Sequence, residues 1–131
     1  MMSNFDNVKQ WMRAAGQDVP SSPTPLDDRT DHLRKKLINE EYIEYLAAET
    51  QAEQVKELVD LLVVTYGALA AMGVDGDTVF DRVMDNNWEK LDRKEVREDG
   101  KIIVPPEIKK QLKAEIETWV DNYINLARTR S

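Results

Sequence analysis

Two helix-length segments follow one another between residues 29 and 72, and they leave the chain little choice of fold. In the first, residues 29–49, Leu33, Leu37, Glu40, Glu41, Glu44 and Ala48 trace one side of a helix. In the second, residues 52–72, Val55, Leu58, Val59, Leu62, Tyr66 and Leu69 are apolar at helical spacing, and Gly73 stands as the stop signal. The residues between them leave room for a tight link only, so the two helices are expected to pack antiparallel.

The flanking segments fit the same class. Phe5, Val8, Trp11 and Met12 space a first helix over residues 4–15, ended by Gly16. The stretch QDVPSSPTPLDD is a proline-rich connector, too polar and broken for regular structure. Asp77 or Thr78 caps a fourth helix running to about Leu91. In REDGKIIVPPE, Asp99-Gly100 marks a turn, and a short hairpin with the preceding KEV is expected. Pro106 opens a last helix, since a missing N–H costs nothing in the first turn; Ile108, Leu112, Ile116, Trp119, Val120, Tyr123 and Leu126 form its apolar stripe. The expected class is all-α, a helical bundle. A length of 131 residues suits one domain: 1–28 helix and connector, 29–92 the central helices, 93–106 a loop, 107–131 the last helix.

The acids are the anomaly. Glu40, Glu41, Glu44, Glu57 and Asp60 sit among Ile43, Leu46, Val55, Leu58, Val59, Leu61 and Leu62, where a core is expected. At about 100° per residue, Glu40, Glu41 and Glu44 share an arc of roughly 100°. Glu57 and Asp60, one turn apart, share a face of the next helix. Antiparallel packing makes the five carboxylates converge, which without compensation forces some to take up protons. A hard divalent cation removes the conflict, and Mg²⁺ or Mn²⁺ suits an all-oxygen site. The plainer alternative is a solvated acidic face pairing with Arg34, Lys36 and Lys56. A di-iron bundle needs Glu-x-x-His pairs, and the single histidine, His32, is not placed to make one.

Composition narrows the partners. With no cysteine, disulfides and thiolate metal sites are excluded. A net charge of −7 argues against a general nucleic-acid binder, though not against a nucleotide whose charge a cation offsets. No run is apolar and long enough for a bilayer span or a signal peptide, so a cytoplasmic protein is expected.

EEYIE, twelve residues, then ELVD resembles the EExxE…ExxD signature of the all-α NTP pyrophosphatases, the MazG-like and phosphoribosyl-ATP pyrophosphatase-like superfamily. LRKKLINEEYIE, ELVDLLVVTYGALAAMGVD, VFDRVMDNNWEKLD and REDGKIIVPPE are similar to blocks of a compact MazG-like subgroup of bacteria and phages; the last helix is less typical. The resemblance implies hydrolysis of a nucleoside triphosphate to the monophosphate and pyrophosphate, with Mg²⁺ on the acidic helices. It also implies dimers, or tetramers as dimers of dimers. It makes Glu41, Glu44, Glu57 and Asp60 the metal ligands, and leaves Glu40 as ligand, water-orienting base or partner of a ligand. Asn87 and Lys90, on one helix face, become nucleotide and phosphate contacts. Arg97 and Lys101, either side of the Asp99-Gly100 turn, are placed to hold outer phosphates. Lys36, one turn before Glu40, reaches a phosphate or pairs with an acid. Trp11 and Trp88 are more often core or interface residues than base-stacking platforms; Trp11 is kept with the substrate-binding set. Asp81 is an exposed helix acid or part of a second metal site.

The leading reading is therefore a metal-dependent NTP diphosphohydrolase acting on the nucleotide pool, with a lean to purine deoxynucleotides such as dGTP or dATP. A phosphoribosyl-ATP pyrophosphatase and a non-catalytic helical interaction module are the alternatives. The apolar stripes exceed what one helical unit buries internally, which predicts a homodimer at least.

Overall fold

The computed structural model describes residues 1–129, in five helices and one small hairpin. These are α1 (Asn4–Ala14), α2 (Asp28–Ala47), α3 (Gln51–Ala71), α4 (Gly76–Asp92), β1 (Glu95–Val96), β2 (Ile102–Ile103) and α5 (Pro106–Thr129). The expected all-α class holds, and residues 130–131 of the last segment lie outside the described residues. Two compact units divide the chain, Met1–Gly76 and a second beginning at Asp77.

In the first unit, the helix starts are set by side-chain caps. Ser3 accepts from Asp6 N–H, Asp27 from Thr30 N–H at 2.7 Å, and Thr50 from Glu53 N–H. Thr50 and Glu53 also bond through their side chains at 3.0 Å, a reciprocal cap that starts α3 immediately after the turn from α2. The link is as short as expected, and α2 packs along α3. The core lies at the other end of α3, where Phe5 and Met12 of α1 meet Ala70, with Val8, Val19, Tyr66 and Leu69 against them. Phe5 and Tyr66 rings meet tilted, 5.9 Å between centroids.

The connector is tied to the end of α3. Thr24 N–H donates to Met72 O at 2.8 Å, and Gly73 turns the chain with φ +69°. A side chain at Gly73 would run into Ser22 O, so glycine is required there twice over. Helix α4 starts at Gly76, just before the expected Asp77 or Thr78. A Cβ at Gly76 would stand 2.9 Å from the Phe5 ring, so that glycine is fitted to the ring rather than left as a loop residue.

In the second unit, Asn86 is buried and donates to Leu112 O at 2.9 Å, linking α4 to α5. Trp119 and Tyr123 stack on α5, 5.5 Å apart, with the Arg82 guanidinium over Trp119. The expected hairpin is present, pairing Glu95 with Ile103 and Val96 with Ile102.

One expectation needs correction. Ile43, Leu46, Val55, Leu58, Val59 and Leu62 do not face a core within the chain; they are exposed, Leu46 to 64%. Helix α2 has no buried residue. The periodicity that marks these positions as apolar cannot say whether the chain itself covers them. Among the described residues no single helix is long and apolar enough to cross a membrane.

Candidate metal centre

The acidic face forms where α2 and α3 run side by side. Glu41 and Glu44 are one turn apart on α2, Glu57 and Asp60 one turn apart on α3. One carboxylate oxygen from each of the four lies within 4.8 Å of all the others. Four of the five expected acids are thus brought together. Glu40 stands apart from that group, 4.0 Å from Lys36 of the preceding turn.

The cluster is electrostatically uncomfortable. Glu41 is held protonated up to about pH 7, first by burial, then by its hydrogen bond with Glu44 and the charges of Glu44, Asp60 and Glu57. One oxygen each of Glu41 and Glu57 is buried with no protein donor. Among the described residues the cation in ion-pair range of the four is Lys56, whose Nζ lies 2.6 Å from Asp60 and 3.5 Å from Glu57. Its pKa is raised, above all by the hydrogen bond to Asp60. One exposed ammonium leaves most of the acidic charge unbalanced, and carboxylate oxygens are hard ligands. That donor set fits a hard divalent cation, with Glu41, Glu44, Glu57 and Asp60 as the residues to hold it.

The other predicted residues divide between the units. In the first, Trp11 is 60% exposed and lines a cleft of about 270 Å³ with Asn7, Val8 and Val63. Val63 is one turn beyond Asp60 on α3, and none of the five acids is among these lining residues. Asn7 was not legible from sequence, because only the packing of α1 on α3 brings it to that cleft. Arg34 is not a partner of the glutamates, as the solvated-face alternative would have it; its guanidinium donates instead to Gln17 Oε1 at 3.1 Å. In the second unit, Lys90 donates to Asn87 Oδ1 at 3.4 Å, which keeps the two together as the spacing implies. Arg97 pairs with Asp99 at 2.7 Å, and Lys101 N–H donates to the same carboxylate, so the turn is closed by its own acid. Trp88 and Asp81 are exposed on α4.

Among curated proteins none matches the sequence. Residues 8–87 match the family described as phosphoribosyl-ATP pyrophosphohydrolase, a span that begins within α1, contains α2, α3 and all five acids, and ends in α4 at Asn87. Members of this family are typically metal-dependent, which agrees with the chemistry of the acidic cluster. The match covers more than half of the chain, and the protein belongs to the phosphoribosyl-ATP pyrophosphohydrolase family, within the MazG-like all-α NTP pyrophosphatase superfamily.

Proposed function

We propose that this pyrophosphohydrolase acts on nucleoside triphosphates, cleaving (d)NTP and water to (d)NMP and pyrophosphate, with purine deoxynucleotides such as dGTP or dATP as favoured substrates. The observation that carries the reading is the set of four converging carboxylates, two of which, Glu41 and Glu57, each have a buried oxygen without a hydrogen-bond partner. Glu41, Glu44, Glu57 and Asp60 would hold Mg²⁺, or Mn²⁺ in its place, which would supply positive charge to the phosphates for an in-line displacement at the α-phosphorus.

The chain's own groups supply the rest. Glu40, beside the cluster yet outside it, orients the attacking water and takes its proton. Lys56 releases its acids and turns to the leaving pyrophosphate, for which its exposed ammonium is free to move. In the first unit Trp11 stacks the base and Lys36 meets a phosphate; in the second, Asn87, Lys90, Arg97 and Lys101 are the candidate sugar and phosphate contacts. The exposed apolar face of α2 and α3 is covered by a second copy, giving a homodimer or a tetramer. The setting is the cytoplasm of a bacterium or a phage-infected host, and the role is control of the nucleotide pool.

Phosphoribosyl-ATP is the second reading, favoured by the family match itself. Both substrates lose pyrophosphate from the same kind of bond, so the acidic cluster serves either. A panel of (d)NTPs and phosphoribosyl-ATP with Mg²⁺ or Mn²⁺ separates them. Monophosphate and pyrophosphate from a dNTP are expected; faster turnover of phosphoribosyl-ATP favours the second reading. A nucleoside diphosphate with inorganic phosphate refutes the bond assignment.

A further inference from the structure

A second cleft in the first unit lies away from the acids, where the connector folds over the start of α2 and the end of α3. It measures about 670 Å³ and is lined by Gln17, Arg29, Arg34 and Thr30 on its polar side, and by Leu33 and Leu37 among its apolar walls. Arg34 is the unusual member. Its Nε is buried and donates to no protein group, and its guanidinium has one hydrogen bond, to the neutral amide oxygen of Gln17. The residue as a whole is half-buried, and no carboxylate pairs with it among the described residues. A buried donor left over in this way calls for an explanation.

The fold makes room for that charge. Arg34 crosses α3 at Gly67, and a Cβ there would stand 2.9 Å from Nη1. Burial lowers the Arg34 pKa, the signature of a cation held without a counter-charge. Arg29 adds a second positive group to the lining. Two acids oppose them: Asp18, and Asp27, whose carboxylate is occupied in capping α2. Balanced lining charge disfavours a polyanion such as a triphosphate, while the Arg34 guanidinium, with its buried Nε left over, favours one anionic group. The apolar walls favour a body attached to it.

We propose that this cleft is a second binding site, taking a small organic oxyanion, a phosphate monoester or carboxylate with an apolar body, on the Arg34 guanidinium. Arg34 lies two helical turns before Glu41, about 10 Å along α2, so the site is separate from the acidic cluster. The inference does not rest on the hydrolase reading.

The test titrates the full-length protein with phenyl phosphate, benzoate, inorganic phosphate and ATP, in EDTA so that no metal–nucleotide complex forms. Calorimetry gives the affinities, and the Arg34 Nε–H signal in ¹H–¹⁵N spectra reports the contact. Phenyl phosphate or benzoate is expected to saturate one site per chain and to shift that signal. Inorganic phosphate, lacking a body, is expected to bind at least tenfold more weakly, and ATP no better than phenyl phosphate. Arg34→Met should lose at least tenfold in affinity. Gly67→Ala, which displaces the guanidinium, should lose a comparable factor, and covers the case in which Arg34→Met fails to fold. Lys113→Met, on an exposed face of α5, should bind as wild type. Absence of saturable binding by the folded wild type overturns the proposal, as does undiminished binding by either folded cleft variant. Binding by ATP far tighter than by phenyl phosphate overturns it too.

Discussion

Helix α3 is one continuous helix with two different fates. Its second half, from Tyr66 to Ala71, is settled by the chain itself: Gly67, Ala70 and Ala71 are buried, and Phe5 and Met12 of α1 close over them. Its first half carries Glu57 and Asp60 on one side and exposed Val55, Leu58, Val59 and Leu62 on the others. Small residues let helices approach closely at one end. At the other, large apolar and acidic residues stand where no described residue completes them. Packing fixes the position of the helix at its quiet end, and the unfinished end is where the proposed cation and second copy would act.

The largest effect comes from breaking the unfinished end. Glu44→Gln or Asp60→Asn keeps the side-chain volume and removes a charge that binds the cation, so hydrolysis should be abolished with the helical fold intact by circular dichroism. Because each removes one of several repelling carboxylates, the metal-free variants should melt at or above the wild-type temperature. Wild type should gain stability on addition of Mg²⁺ and the variants little. Equal metal-induced shifts in all three would show the ligands to be elsewhere.

Truncation of apolar side chains sharpens the contrast between the ends. Phe5→Ala opens a cavity in a fully buried site and should cost about 3–5 kcal/mol, whatever the protein concentration. Leu58→Ala removes an exposed side chain within the chain but an interfacial one in an oligomer. Its cost should therefore vanish on dilution to monomer, since assembly stabilises by mass action. Equilibrium unfolding of both variants across a hundredfold range of concentration, roughly micromolar upward, reads the difference. A concentration-independent cost for Leu58→Ala would break the comparison.

The assembly itself is the next step down. Leu46→Lys with Val55→Lys places charge on the exposed face at both helices and should shift light scattering from dimer or larger to monomer, while leaving the Phe5 core untouched. A wild-type protein that is already a monodisperse monomer at micromolar concentration would remove the need for any partner.

How far the sequence reached follows the same division. Helix identity, the antiparallel pair and four acids on facing surfaces are consequences of 3.6-residue periodicity and a short link, which are local properties. The arc argument was too coarse to separate Glu40 from Glu41, since neighbours differ by about 100° and only packing decides which turns inward. Glu40 keeps the company of Lys36 on its own helix. The apolar pattern found the outer face but could not show what covers it. The route of Arg34 over Gly67 to Gln17 joins three segments distant in sequence, and no local rule anticipates it. The short hairpin was legible because Asp99-Gly100 is a local turn signal; Gly100 has φ +82°.

The smallest effect is a pH dependence confined to the metal-free protein. Glu41 titrates near 7 in the folded chain against an ordinary 4.5, so between those values the folded state holds a proton that the unfolded state has lost. Stability must then fall as pH rises through that window, because proton uptake by the folded state favours it at the acidic end. Melting in EDTA from pH 4.5 to 8 should show this decline in wild type and a flatter profile in Glu41→Gln, whose amide keeps the hydrogen bond to Glu44 without the charge. The difference between the two proteins is the readout, since the other carboxylates titrate in both. Parallel profiles would mean that burial at Glu41 is relieved before the proton leaves, and that α2 beside the unfinished end of α3 yields by local opening rather than by charge.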